Sequence, residues 1–191
     1  MSDIKVALRS SRRWRYPLTT SDQRRFDAWD VNGDGQIDRS DWDAQARRIL
    51  QAFGEEPGTP AARQLTDAYL GMWSFFADKA GIDEQTGALT PEQFHHIAQE
   101  HVLENGGAGF GRVAKPVIQA LVELVDVDGD GQVNPAEFKS WLDAIGVQDV
   151  NPLEAFAQID ADGDGQLSVE ELVRAVRAYY LGDIDVPLLG H

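Results

Sequence analysis

The segment that decides the fold covers residues 160–167 and reads Asp160-Ala-Asp-Gly-Asp-Gly-Gln-Leu167. The same pattern occurs twice more, as Asp30-Val-Asn-Gly-Asp-Gly-Gln-Ile37 and as Asp126-Val-Asp-Gly-Asp-Gly-Gln-Val133. The last two copies begin 34 residues apart. Repetition at this period indicates that one supersecondary unit, about as long as a helix, a loop and a second helix, occurs several times.

Each copy is flanked by segments with the pattern of helices. Phe26 and Trp29 precede the first copy at helical spacing, and the almost wholly apolar run 117–125 precedes the second. Asn151-Pro152 begins the helix before the third, with Asn as the cap and Pro at the first helical position. The segments 134–137 and 168–171 have the pattern of capping boxes and begin the following helices. The sequence therefore predicts an all-α fold.

The repeated pattern places oxygen-bearing side chains at alternate positions of a twelve-residue loop, with a glycine at position six where the chain must bend. Calcium binds six to eight oxygens at about 2.3–2.6 Å, and such spacing lets a short loop surround the ion. The sequence predicts three calcium sites. Their expected ligands, with glutamine contributing its backbone carbonyl, are Asp30, Asn32, Asp34, Gln36, Asp38 and Asp41; Asp126, Asp128, Asp130, Gln132, Asn134 and Glu137; and Asp160, Asp162, Asp164, Gln166, Ser168 and Glu171.

The first loop differs at position twelve, where Asp41 stands in place of the glutamates of the other two loops. Aspartate is one methylene shorter, so binding through both carboxylate oxygens is harder to achieve. We expect fewer ligand bonds in this loop. Magnesium, which prefers octahedral geometry, should compete best there.

A fourth helix–loop–helix unit lies between the first and second copies, at residues 65–94. Aligning Leu89 with Ile37 places Ile82 at position one and Gln93 at position twelve, and this pair cannot bind calcium in the expected way. The unit should keep the scaffold without the site. We expect the position-eight residues to pair the loops through short β-bridges, Ile37 with Leu89 and Val133 with Leu167.

Composition excludes several classes of protein. The 191 residues carry a net charge of −15, which disfavours nucleic-acid binding and suits a cation binder. Cysteine is absent, which fits a reducing cytoplasm. No apolar run approaches the roughly 18–20 residues needed to cross a membrane. Arg12-Arg13 resembles the start of a twin-arginine export signal, but the polar segment 19–25 follows it, so we expect no export.

The predicted organisation has four units in two pairs that pack into one compact body. The two pairs occupy residues 21–104, with one active and one degenerate loop, and residues 112–181, with two active loops. A basic N-terminal arm (1–20), a glycine-rich linker (105–111) and a C-terminal tail (182–191) complete the chain. The linker is too rich in glycine to form a long rigid helix between the halves, so we expect the halves to pack together. We also expect the chain to be monomeric.

These motifs resemble those of the bacterial calerythrin-like EF-hand proteins, which are similar to the sarcoplasmic calcium-binding proteins. The resemblance extends from Arg24 onward and includes segments 25–30 and 114–117, the degenerate second unit and the tail segment 185–190. It implies a compact helical fold of four units, three bound calcium ions and a role in cytoplasmic calcium buffering or transport. It does not extend to the basic arm.

Several functions remain open from the sequence. A buffer is favoured over a sensor, because a sensor typically exposes a Met-rich groove and this chain has only 2 Met. A sensor would bind a target protein. An enzyme is not expected, because the clustered carboxylates are assigned to metal and no nucleophile–base motif is present. His95 and His96 should face apart and bind no zinc. A chromophore-binding role, known among distantly similar proteins, would require an internal cavity.

Overall fold

The computed structural model describes residues 20–103 and 108–189. The predicted basic arm lies outside this part of the chain, apart from Thr20. The elements are α1 (Thr20–Trp29), β1 (Ile37–Asp38), α2 (Arg39–Ala52), α3 (Pro60–Ala80), β2 (Ala88–Leu89), α4 (Pro91–Ile97), α5 (Ala108–Val125), α6 (Pro135–Ala144), α7 (Pro152–Ile159) and α8 (Val169–Leu181), and a π-helical segment, Ala98–Leu103, continues α4. The all-α prediction is confirmed.

The helix starts coincide with the predicted caps. Asn151 caps α7 by accepting a hydrogen bond from the backbone N–H of Leu153. Asn134 and Ser168 each form a capping box, in which the glutamate three residues later accepts from the backbone N–H of the cap. Hydrogen bonds to local side chains therefore set where α6, α7 and α8 begin.

The loops pair as predicted from position eight. Ile37 and Leu89 are opposite each other in an antiparallel two-stranded sheet, and Val133 and Leu167 form an antiparallel bridge. All four side chains are fully buried. These bridges satisfy backbone polar groups that burial would otherwise leave without partners. Each bridge thus joins two helix–loop–helix units into a pair.

The two pairs pack against each other along α5, which contacts α3 of the first pair and α8 of the second. Aromatic side chains fill much of the core. Trp29 stacks on Trp42 with ring centroids 4.2 Å apart, and Phe76 stacks on Phe94 at 5.1 Å. The indole N–H of Trp29 donates to the hydroxyl of Tyr180 on α8 at 3.1 Å, so α1 and α8 are joined directly. The predicted packing of the halves is confirmed.

One boundary differs from the expectation. We expected a linker through Gly111, but α5 already begins at Ala108. Phe110 is only 4% exposed and Val113 is also buried in the core. Burial of these side chains offsets the cost of about 1 kcal/mol for each helical glycine. None of the helices within the described ranges is long and apolar enough to cross a membrane.

The C-terminal segment 182–189 is packed into the body. Val186, Leu188 and Leu189 are buried. The indole N–H of Trp141, on α6, donates to the carbonyl of Leu188 at 3.0 Å, and the side-chain amide of Gln45, on α2, donates to the carbonyl of Leu189 at 3.1 Å. Consecutive carbonyls of the tail therefore hold one helix from each pair.

Candidate metal sites

Counted along the chain with the degenerate loop as the second, the first loop spans 30–41, the third 126–137 and the fourth 160–171. In the third loop, backbone N–H groups point at the carboxylate of position one. Asp126 accepts from Gly129 at 2.6 Å through Oδ1 and from Gly131 at 2.8 Å through Oδ2. Both glycines have positive φ, of 77° and 79°, and this backbone shape turns the loop inward. Chiefly because Gly131 donates to it, the pKa of Asp126 is lowered, so the carboxylate is ionised and ready for a cation.

The same network recurs in the other two repeated loops. Asp160 accepts from Gly163 at 2.8 Å and from Gly165 at 3.1 Å. In the first loop, Asp30 accepts from Gly33 and from Gly35, both at 2.9 Å. The first loop is therefore folded like the other two, although it has Asn32 at position three and Asp41 at position twelve.

The position-twelve carboxylates close the loops. Glu137 accepts from Val127 and from Asn134, both at 2.9 Å, so one carboxylate joins the start of the loop to the cap of the next helix. Glu171 does the same with Ala161 and Ser168. Asp41, despite its shorter side chain, accepts from Val31 at 3.1 Å and from Asp38 at 2.9 Å.

The closing carboxylates of the first and fourth loops, Asp41 and Glu171, are both buried, but their pKa values are shifted in opposite directions. Burial opposes ionisation of Glu171, yet the hydrogen bonds from the backbone and side chain of Ser168 outweigh it, so its pKa is lowered. For Asp41, burial dominates, and the negative charges of Asp38 and Asp30 add to it, so its pKa is raised. Without a bound cation, ionisation of the position-twelve carboxylate is therefore less favourable in the first loop than in the fourth.

The remaining ligand candidates are brought together in the third and fourth loops. One carboxylate oxygen from each aspartate of the trios lies within 4.8 Å of the others; the trios are Asp126, Asp128 and Asp130, and Asp160, Asp162 and Asp164. Two oxygens on opposite sides of a calcium ion are about 5 Å apart, given bonds of roughly 2.3–2.6 Å. These aspartates therefore fit one shared calcium ion in each loop.

The position-nine side chains are used in helix capping. In the first loop, Oδ1 of Asp38 accepts from the backbone N–H of Ser40 at 2.7 Å and from its hydroxyl at 2.6 Å. Asn134 accepts from the backbone of Ala136 and Glu137, and its amide lies 3.4 Å from Oδ2 of Asp128. Position nine therefore stands at the edge of each loop, where it serves the helix as well as the candidate site.

The degenerate loop is held in shape by its own hydrogen bonds. The side chain of Asp83 accepts from the backbone of Gln85 and Thr86. A Cβ on Gly87 would lie 2.6 Å from the carbonyl of Asp83, so only glycine fits there. Oε1 of Gln93 accepts from the backbone N–H of Thr90 at 3.0 Å and caps α4 in the manner of the glutamates at position twelve.

A contact that the sequence reasoning missed connects the third and fourth loops. The side-chain amide of Gln166 donates to Oδ2 of Asp130 at 3.0 Å, although only its backbone carbonyl was considered a ligand. Glutamine stands at position seven of all three repeated loops, but nothing in that pattern says which copy reaches across. The distance between the paired loops, set by the Val133–Leu167 bridge, decides it.

The histidines and the interior bear on the other functions considered. Nδ1 of His95 lies 3.0 Å from Asp22, and Nε2 of His96 lies 3.2 Å from Glu100, so the two rings have different carboxylate partners.

The interior contains an apolar cavity of about 50 Å³, lined by aromatic residues that include Trp42 and Tyr180. Pockets for organic ligands usually measure about 300–1,000 Å³. A chromophore therefore does not fit this cavity.

Comparison with known proteins agrees with this geometry. The EF-hand family model matches residues 23–44, 118–142 and 153–176, which contain the three repeated loops. The chain is 39% identical over 168 residues to calerythrin from Saccharopolyspora erythraea, covering 88% of this chain and 94% of that protein. The chain belongs to the calerythrin-like family of EF-hand proteins. It is a calcium-binding protein and not an enzyme.

Two further similarities extend beyond this match. The calerythrin-like chain is 26% identical over 118 residues to the β chain of a sarcoplasmic calcium-binding protein from Penaeus, covering 61% of this chain and 60% of that one. A solved structure of a calcium-binding protein from Streptomyces coelicolor superposes with a TM-score of 0.67 at 30% identity, covering 84% of this chain and 95% of that one. The predicted relationship to calerythrin and the sarcoplasmic proteins is confirmed.

Proposed function

We propose that this protein is a calcium buffer or transport protein of the bacterial cytoplasm, with three calcium sites. The ligands are those expected from the sequence, and the shared network at positions one and twelve supports all three loops. The lack of cysteine supports the reducing compartment. Two relatives from bacteria, calerythrin from Saccharopolyspora and the protein from Streptomyces, support a bacterial origin.

The packed tail is the observation that favours a buffer. A sensor responds to calcium by swinging the helices that follow its loops and exposing an apolar groove. Here α2 follows the first loop and α6 follows the third, and both donate hydrogen bonds to the tail through Gln45 and Trp141. These donors are 2% and 0% exposed. Opening either pair would therefore break buried hydrogen bonds and expose the leucines of the tail.

A sensor is the second candidate, and one observation favours it. The published description of the Streptomyces structure concerns calcium-mediated regulation by that protein. Two apolar side chains of the present chain are also strongly exposed, Val127 at 88% and Leu153 at 70%. They lie on different elements, so they do not by themselves form a groove for a target protein.

Binding of a hydrophobic dye such as ANS separates the two candidates. The full chain is measured with saturating calcium and with a chelator, in buffer that contains magnesium. A buffer gives low fluorescence with calcium and higher fluorescence without it, since the clustered loop carboxylates repel each other in the metal-free protein. A large calcium-induced increase would instead establish the sensor.

A pair of variants calibrates this measurement. Leu189→Asp places a charge where a side chain is 6% exposed and should release the tail, so dye fluorescence with calcium should increase. Glu56→Gln changes an exposed residue outside the tail and should leave the fluorescence unchanged. If Leu189→Asp binds no more dye than the native chain, the tail does not cover an apolar surface and gives no support to a buffer.

A further inference from the structure

An open groove of about 1290 Å³ runs between α1 and the second pair, where α7, α8 and the tail form its other walls. Its floor includes the buried side chains of Ala155 and Val186 and the partly exposed side chains of Val150, Ile184 and Tyr179. The groove thus combines a partly apolar floor with access from solvent.

The rim of this groove is strongly acidic. Five exposed carboxylates line it, against the single guanidinium of Arg25, so the lining has a net charge of −4; they are Asp27, Asp149, Glu154, Asp183 and Asp185. Unlike the loop carboxylates, these residues belong to none of the predicted calcium ligand sets. Calcium would therefore leave this negative charge in place while it compensates the charge of the loops.

The chain itself contains a segment of complementary composition. Residues 1–19 contain five basic residues and one acidic residue, a net charge of +4, whereas the remaining residues carry −19. The basic residues are Lys5, Arg9, Arg12, Arg13 and Arg15. Leu8, Trp14 and Tyr16 lie among them. Basic side chains suit the rim, and large apolar side chains suit the floor.

We propose that the N-terminal arm, residues 1–19, docks in this groove. The arm joins α1 at Thr20, and Arg25, Asp27 and Ala28 of the same helix line the groove, within about 12 Å of the start of the helix at 1.5 Å per residue. An extended arm of this length can span up to about 60 Å, so it reaches the groove with residues to spare. Covalent attachment makes docking intramolecular and gives a high effective concentration.

A second depression on the body provides a comparison. Arg63, Asp67 and Glu123 are the charged residues that line it, a net charge of only −1, and it shares no lining residue with the groove. A long arm could reach either surface, so its proximity to the groove does not decide where it binds. The greater negative charge of the groove does. The arm should therefore prefer the groove beside α1 and leave this second depression free.

A spin label tests the proposal on the full chain. Because the native sequence has no cysteine, Gln158→Cys places one nitroxide at an exposed position in the groove, and Gln64→Cys places one in the second depression. With saturating calcium, we expect the label at 158 to broaden the amide NMR signals of residues 1–19 and the label at 64 to leave them sharp. Equal broadening from both labels, or none from 158, would overturn the proposal.

Charge variants and salt test the physical basis of docking. The double substitution Asp149→Lys and Glu154→Lys should abolish the broadening from position 158, and its match in the second depression, Asp67→Lys and Glu123→Lys, should not. Salt at about 1 M, where the screening length is roughly 3 Å, should also abolish it. If broadening appears only between a spin-labelled chain and a separate isotope-labelled chain, the arm binds a second copy and the intramolecular proposal is wrong.

Discussion

The position-twelve residue shows how one methylene alters a site. Asp41 makes the same two loop-closing hydrogen bonds as Glu137, so the fold of the loop does not need the longer side chain. Reaching a central ion with both oxygens is a further demand, and a shorter side chain satisfies it less readily. Burial and the neighbouring Asp38 and Asp30 also raise the pKa of Asp41. The first loop should therefore be the least selective of the three.

The substitution Asp41→Glu should increase the preference of the first loop for calcium over magnesium. Gain of one charged ligand contact at roughly 1.5 kcal/mol would strengthen calcium binding about tenfold, while octahedral magnesium gains little. Calorimetric titration with calcium, in buffers with and without magnesium, measures this preference. Glu171→Asp is the reciprocal control and should reduce the preference in the fourth loop. An unchanged ratio in Asp41→Glu would show that side-chain length does not set selectivity here.

At the scale of single residues, sequence reasoning works where the contacts are local. The candidate ligand residues recur at fixed positions of a short loop, so their spacing alone predicts that they converge, and the two aspartate trios do converge. The caps at Asn134, Asn151 and Ser168 are local in the same way. Gln45 could not be recognised, because its partner is 144 residues away and the contact exists only after the tail has packed.

Among the elements, the paired loops form the structural unit. The third and fourth loops share two backbone hydrogen bonds between Val133 and Leu167, at 3.0 and 2.8 Å, and the contact from Gln166 to Asp130. Any cation that orders one loop thereby orders part of the other. The first loop has only the degenerate loop as its partner, through Ile37 and Leu89. Binding should consequently be coupled in the second pair and independent in the first.

The substitution Glu171→Gln tests this coupling. This substitution removes the closing carboxylate of the fourth loop. Because the two loops are coupled, it should also weaken calcium binding at the third loop by at least about fivefold. That factor corresponds to about 1 kcal/mol, the lower end of typical coupling free energies of about 1–3 kcal/mol. The first loop should keep its native affinity. Amide NMR signals of Gly35, Gly131 and Gly165, one in each loop, report the three titrations separately.

The matched control acts on the first pair. Asp30→Asn should abolish binding at the first loop and leave the titrations of Gly131 and Gly165 unchanged. Native affinity at the third loop of the Glu171→Gln variant would mean that the bridge between the loops transmits no binding energy.

The tail is an element whose role depends on packing across the whole chain. Trp141→Phe removes the donor to the carbonyl of Leu188, which lies in the core, and should destabilise the protein by about 2–4 kcal/mol. Hydrogen exchange of the amides in 186–189 should accelerate as the tail loosens. Denaturant unfolding of the calcium-loaded protein measures the loss of stability, and mass spectrometry measures the exchange rate of the tail amides.

Trp73→Phe provides a control of the same chemistry. Trp73 is also fully buried, and its indole N–H donates to the carbonyl of Glu84 in the degenerate loop at 2.8 Å. A similar loss of stability is expected, but exchange in 186–189 should stay at its native rate. If both variants loosen the tail equally, its packing reflects global stability and not the contact from Trp141.

For the whole molecule, the helical architecture and the pairing of the loops were predictable, because both follow from repetition and apolar periodicity. The start of α5 at Ala108 was not, since burial of Phe110 overrides the low helix propensity of the adjacent glycines. Nor was the direct contact between α1 and α8, through Trp29 and Tyr180. Such contacts join distant parts of the chain and depend on how the two halves meet.

Burial of Tyr180, the residue of α8 that accepts the hydrogen bond from Trp29, makes the stability of the protein sensitive to alkaline pH. Burial raises the pKa of Tyr180 to about 12, whereas an unfolded tyrosine titrates near 10. Burial also raises the pKa of Tyr69. The unfolded state therefore loses its phenolic protons first. The stability that comes from the neutral Tyr180 is fully present below pH 10 and is lost as the pH rises towards 12.

Urea unfolding of the calcium-loaded protein at several pH values should show this loss, with Tyr180 contributing up to about 1.4 kcal/mol per pH unit between pH 10 and 12. Tyr180→Phe leaves the indole N–H of Trp29 without its acceptor and should cost about 1–3 kcal/mol at neutral pH. Because the variant has no phenol at 180 to ionise, its stability should fall less steeply above pH 10, and the remaining slope should come from Tyr69 and Tyr179, whose pKa values burial also raises. Equal slopes for the two proteins would show that ionisation of Tyr180 does not contribute to the loss of stability at alkaline pH.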